Sequence, residues 1–182
     1  AKTYSKKPGW TMFRNDPGCA YERTVEIDVS KLVPQVACPP TVGNVKPIGE
    51  VAGAEIQIAE IGGSTGSRLC DIREAARRLK GRKVHPGVRL QIVPANRGIF
   101  LAALREGLIE TLFEAGATVF PPSAGSNQAV NMGAMSESES MISNQARNFP
   151  GRNGHPKAKH FLASASTVAA SALTGRITDP RE

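Results

Sequence analysis

The chain has 182 residues, a formal net charge of +7 and the composition of a globular protein, 40% hydrophobic and 21% charged. That length suits one domain with a full core, and no apolar run approaches the ~20 residues of a membrane span. Aromatic residues make up only 5%, too few to stack many bases, so the basic charge points to anionic small molecules or an acidic partner before RNA.

The opening AKTYSKKPGW is basic but has no apolar stretch, so it does not read as a signal peptide. It begins on Ala, which fits a processed or split subunit. Cys19, Cys38 and Cys70 form no CxxC pair and no ligand spacing. Free thiols in a reducing compartment, the cytoplasm, are expected.

Residues 1–50 read as an extended, Pro-rich segment packed on a partner or on the domain, with one strand at 23–29 (RTVEIDV). The prolines of 33–45 exclude helix and predict an extended connector. Residues 51–182 read as the domain proper. AEIQIAEI (54–61) is a strand, and Leu69, Ile72, Ala75, Ala76 and Leu79 then fall at helical spacing across 67–80. A second strand is expected at 88–94, helices over 97–115 interrupted or kinked at Gly107, a third strand at 117–121, and an Ala/Ser-rich helix over 158–175. Alternating strands and helices predict a mainly parallel sheet covered by helices. Ligands then bind beyond the carboxyl ends of the strands, where the loops at 62–67, 94–98 and 121–127 open.

Three segments carry candidate chemistry. GGSTGSR (62–68) follows a strand and precedes a helix, so Ser64, Thr65 and Ser67 either cradle an anion or cap the helix. PPSAGS (121–126) offers Ser123 and Ser126 with no acid or base nearby in sequence, so only groups elsewhere in the fold can activate them. ARNFPGRNG (146–154) sets Arg147 and Arg152 five residues apart around a turn, either as two surface arginines or as a fork for one carboxylate. His85, His155 and His160 make no metal spacing and are expected on the solvated surface.

These segments, with VEIDVSKLVPQVACPP, GLIETLFEAGATVFPPSAGS and FLASASTVAASALTGRITDP, resemble the third domain of the aconitase and isopropylmalate-isomerase large-subunit family, in order and over nearly the whole chain. The resemblance implies a three-layer α/β/α domain forming one wall of a hydro-lyase or isomerase active site. It implies substrate-carboxylate binding by Arg147 and Arg152, with a less certain part for Arg68. It also implies partners: the other large-subunit domains and a swivel-domain subunit that supplies catalytic groups.

The departures are specific. Family members carry cysteine where this chain has Ser64, Ser123 and Ser126, and hold a [4Fe–4S] cluster there. The usual asparagines stand here as Gly66 and Ala146. Hydroxyls are poor ligands for such a cluster. The expectation is therefore a cluster-free site that keeps its anion-binding arginines, with the three serines and Thr65 lining the pocket and a replacement metal left open. A non-catalytic subunit and an RNA-binding relative are the alternatives.

Overall fold

Residues 9, 11–63, 65–126 and 132–182 are described by the computed structural model of the chain. They fall into two compact units that divide between Leu32 and Val33. In the first unit the expected strand at 23–29 does not form. Val25, Ile27 and Val29 alternate as a strand would, yet are 61%, 71% and 74% exposed. A strand lowers its free energy only by pairing, and the described part of this unit supplies no neighbour. A single 3-10 turn, Val29–Lys31, follows instead, capped by the Asp28 carboxylate, which accepts from Ser30 N at 3.0 Å.

The second unit begins inside the segment read as a connector. Residues 33–50 contribute strands β1 (Gln35–Ala37) and β2 (Val45–Pro47). They form a hairpin in which Val36 is buried. Then follow β3 (Ile58–Gly62), α1 (Leu69–Leu79), β4 (Arg89–Val93), α2 (Arg97–Arg105), α3 (Leu108–Glu114) and β5 (Thr118–Val119). β6 (Ser140–Ser143), β7 (Lys159–Leu162) and α4 (Ala165–Thr174) complete the unit. Gly107 takes φ 69, a left-handed conformation that suits glycine, and separates α2 from α3 as two helices.

The long helix expected over 158–175 is corrected. Lys159–Leu162 joins the sheet, and the helix starts after Ser164, whose hydroxyl caps it by accepting from Thr167 N at 3.2 Å. β6 has no counterpart in the sequence reading, because SMIS is short, flanked by Glu139 and Asn144, and lacks a clean alternation.

The sheet order is β2-β1-β7-β6-β3-β4-β5, with β3 to β7 parallel and β1 antiparallel to both neighbours. The α/β class and the mainly parallel sheet are as expected. The helices form one contiguous layer in which α1 packs on α3 and α4 and α2 packs on α1 and α3. Ile61, Ile72, Leu79, Ile92, Leu112 and Val168 meet in the main core. On a smaller apolar cluster, irregular chain around Met135 and Ala158 packs on Ile58 and Met141. No helix among the described residues is long and apolar enough to cross a membrane.

This topology fixes one edge. After β3 the chain winds outward to β4 and β5, then returns to β6 on the other side of β3. The loops after β3 and β6 therefore diverge at the sheet's switch point, where ligands bind in open parallel sheets.

Candidate functional site

Three segments converge at this edge: the loop after β3, the loop at 121–126, and the chain after β6. Close backbone approach shapes the first. Gly62 has φ +135, and a Cβ there would lie 2.1 Å from Val93 O, so only glycine fits. Asn144, just past β6, clamps the loop from both sides. Its Oδ1 accepts from Gly62 N at 2.9 Å, and its Nδ2 donates to Gly66 O at 2.5 Å. Asn144 also fills the place a side chain at 66 would need, since a Cβ there would meet Asn144 O at 2.1 Å and Cγ at 2.4 Å.

Beneath the loops lies Glu60, on a strand buried at all five positions and itself 0% exposed. Its Oε2 accepts from Ser126 N at 3.1 Å, and its Oε1 accepts from Gln145 Nε2. The same Gln145 Nε2 donates to Ser126 Oγ at 3.1 Å, and Asn153 Nδ2 donates to that oxygen at 3.0 Å. Burial pushes the Glu60 carboxyl above its ordinary range, against these hydrogen bonds, which pull it down. No cationic side chain among the described residues pairs with it.

The network continues: Gln145 N donates to Ser143 Oγ at 3.3 Å, and Ser143 Oγ shares a 2.7 Å hydrogen bond with His160 Nε2. His160 is 4% exposed, which corrects its expected surface position; β7 carries it inward beside Ser143. Burial first, then the Arg152 charge, lower its pKa to about 4 and keep the ring neutral at pH 7.

Arg147 and Arg152 flank Phe149. Arg152 N donates to Phe149 O at 3.1 Å to close the turn, and the guanidinium carbon stands 5.5 Å from the ring centroid. Arg147 is exposed, has no ion pair among the described residues, and lines a hollow of about 430 Å³ with Pro40, Val42, Ala146 and Phe149. A second hollow of about 380 Å³ is lined by Thr65, Arg68, Asn144, Gln145 and Ala146. The two share Ala146, so the arginine turn and the switch point adjoin. A larger hollow of about 470 Å³, around Glu55, His85 and Arg176, sits by the residues preceding β3 and β4. That is the end of a parallel sheet opposite to the ligand edge.

Of the residues singled out in the sequence, the structure brings together Ser126 and the Arg152 turn, through Asn153, and sets Thr65 and Arg68 on the adjoining hollow. Arg68 forks onto Asp71, with Nε at 3.0 Å from Oδ2, so it enters the site already paired. Ser123 Oγ accepts from Gly125 N at 3.3 Å within its own loop. Ser64 lies outside the described residues. Glu60, Asn144, Gln145 and Asn153 were missed. Only Glu60 left a signal, an acidic residue inside an otherwise apolar strand of a parallel sheet.

The donor set does not fit the [4Fe–4S] cluster that the resemblance implies. Positions 123 and 126 carry hydroxyls, and Ser126 Oγ already takes two amide hydrogens. The thiols stand elsewhere: Cys38 is buried, Cys19 and Cys70 are exposed, and none lies on either serine loop. Among the described residues no three His, Cys, Asp or Glu side chains group to hold a metal ion.

The basic helix α1 is largely neutralised at its surface: Arg73 pairs with Glu106 at 2.7 Å, and Arg77 and Arg78 both pair with Glu74, at 2.8 and 2.9 Å.

Residues 46–175 match the Aconitase family (aconitate hydratase). The chain is 49% identical over 167 residues to 3-isopropylmalate dehydratase large subunit 2 of Archaeoglobus fulgidus, covering 92% of this chain and 40% of that one. It is 46% identical to the large subunit of Oleidesulfovibrio alaskensis, covering 91% and 40%, and 42% identical to that of Thermodesulfovibrio yellowstonii, covering 100% and 43%. The chain thus spans about two fifths of the length of the curated relatives it matches. A domain-length match of this extent, on a sheet whose ligand edge is built as above, leaves one assignment: the chain belongs to the aconitase family.

Proposed function

We propose that this chain forms one wall of the active site of a hydro-lyase or isomerase that acts on a small carboxylate of the 3-isopropylmalate type, and that it does so without a [4Fe–4S] cluster. One observation carries the reading: Arg147 and Arg152 frame Phe149 beside the switch point, at the edge where an open parallel sheet takes its ligand. A guanidinium offers forked donors to a carboxylate, and the ring beneath Arg152 limits where its head can swing. Thr65 and Arg68 supply further donors across Ala146. The remaining large-subunit domains and a small subunit with the swivel domain complete the assembly, in the cytoplasm. The proton donor and acceptor come from those partners, because the acid and histidine at this edge, Glu60 and His160, are buried away from the hollows. Without the cluster to polarise a leaving hydroxyl, the reaction draws on general acid–base catalysis, a more activated substrate or a replacement metal ion.

The test is turnover by the assembled complex with 3-isopropylmalate as substrate. Arg147→Ala and Arg152→Ala should each raise KM by about 10-fold or more, the loss of one charge-assisted hydrogen bond of ~1.5–3 kcal/mol. Unchanged turnover would make this a non-catalytic subunit. Iron and sulfide analysis of the anaerobically purified complex should find no stoichiometric cluster, and finding one sinks the cluster-free reading.

A further inference from the structure

We propose that the Glu60 carboxyl is the structural successor to the cluster: it fills the space between the two serine loops and ties them together, so that cysteines restored at 64, 123 and 126 do not by themselves rebuild a cluster. This rests on the cluster-free reading above.

Glu60 reaches three segments at once. It binds the backbone of the 121–126 loop at Ser126 N and the chain after β6 through Gln145, and β3 itself leads into the loop that carries position 64. Ser126 Oγ then joins Asn153, and with it the arginine turn, to the same centre.

The loops close directly onto this carboxyl. A Cβ on Gly125 would lie 2.5 Å from Glu60 Oε1 and 2.9 Å from Gly63 Cα, while one on Gly63 would lie 3.0 Å from Ala124 O and 3.3 Å from Glu60 Oε1. Backbone thus touches backbone over the carboxyl, and both positions are glycines at φ +77. A cubane carried on thiolates from both loops needs them held apart by its own width. A [4Fe–4S]2+ core with three thiolates keeps a net charge of −1, beside a carboxyl that is 0% exposed and has no cation among the described residues to offset it, and like charges in a buried site repel. Size and charge both oppose the cluster.

The experiment is anaerobic reconstitution of the full protein with ferrous iron and sulfide, read as iron and sulfide content and as the visible absorbance of an iron–sulfur centre. The triple variant Ser64→Cys/Ser123→Cys/Ser126→Cys should take up no stoichiometric cluster. Adding Glu60→Ser, which shortens the side chain and keeps an acceptor oxygen, should allow one. Adding Glu60→Gln, which keeps the size and removes the charge, should give at most partial uptake. Full uptake by the triple variant overturns the proposal. So does failure of the Glu60→Ser background, provided circular dichroism shows folded protein and thiol titration finds the added cysteines reactive. A cluster on the unsubstituted protein would overturn the cluster-free reading instead, so the two failures are told apart.

Discussion

Glu60 and Glu74 belong to consecutive elements, β3 and α1, and live in opposite electrostatic worlds. Glu74 accepts from Arg77 at 2.8 and 2.9 Å, from Arg78 Nε at 2.9 Å and from Ser166 Oγ at 2.9 Å. Hydrogen bonding from Arg77, foremost, holds its pKa down to about 2. Glu60 has amide partners and no cation among the described residues, and burial holds its pKa up. The half-buried helix glutamate stitches α1 to α4 through Ser166 and remains charged. The buried one organises the ligand edge through uncharged donors, and its charge is a burden that the surrounding polar groups only partly relieve. A strong charge pairing marks the scaffold here, and a poorly compensated charge marks the site.

Removing each side chain should break this comparison unequally. Glu60→Ala strands the Ser126 N–H and one N–H of the Gln145 amide, whose other bond to Ser126 Oγ remains, at ~1–3 kcal/mol for each unsatisfied buried donor, and adds a cavity. A loss of about 3 kcal/mol or more in chemical denaturation is expected. Glu60→Gln should cost under about 1 kcal/mol at neutral pH, because the Gln145 amide, whose Oε1 has no partner, can turn to accept from the new NH2 group. Equal losses for the two variants would show that the shape of the side chain matters less than its charge. Next in size, Gly125→Ala should cost about 2 kcal/mol, combining a left-handed φ with the 2.5 Å approach to Glu60 Oε1. In a Glu60→Ser background part of that cost should vanish, and a thermodynamic cycle would read the coupling. Strict additivity would deny that the loop rests on the carboxyl.

The same contrast explains what the sequence disclosed. The Arg77 and Arg78 pairs of Glu74 follow from local spacing, since these residues sit three and four apart on a helix with clear apolar periodicity, whereas Ser166 lies 92 residues away. The parallel sheet and its ligand edge were legible from alternating strands and helices. The arginine pair was legible through its turn. Glu60 needed tertiary information, because its partners Ser126 and Gln145 lie 66 and 85 residues away in sequence, and nothing local announces them. β7 was absorbed into the helix reading because KHFL and the Ala-rich run behind it share one apolar stretch. Only the pairing with β6 separates them. The apolar alternation at 23–29 misled in the opposite sense, a strand pattern with no strand to pair with among the described residues.

The smallest effects are electrostatic, and their signs are opposite. A carboxyl whose folded pKa is raised binds its proton more tightly in the native state. Glu60 therefore contributes stability at low pH that is lost as pH climbs from its ordinary 4.5 through the raised value. His160 runs the other way in an overlapping window. Its pKa falls from 6.5 to about 4, so its contribution is present above 6.5 and is lost as pH drops toward 4. Glu74 also loses its contribution on acidification, between 4.5 and about 2. Comparing Glu60→Gln with the unsubstituted chain isolates the first term: the variant should gain relative stability as pH rises above 4.5, then level off. Glu74→Gln should show its deficit only above that range and lose it in acid. With Glu74 31% exposed, solvent screening should keep that deficit under about 1 kcal/mol. Parallel pH profiles for the two variants would mean that the fully buried and the half-buried glutamate feel the same surroundings, and the division between site and scaffold drawn from them would fall.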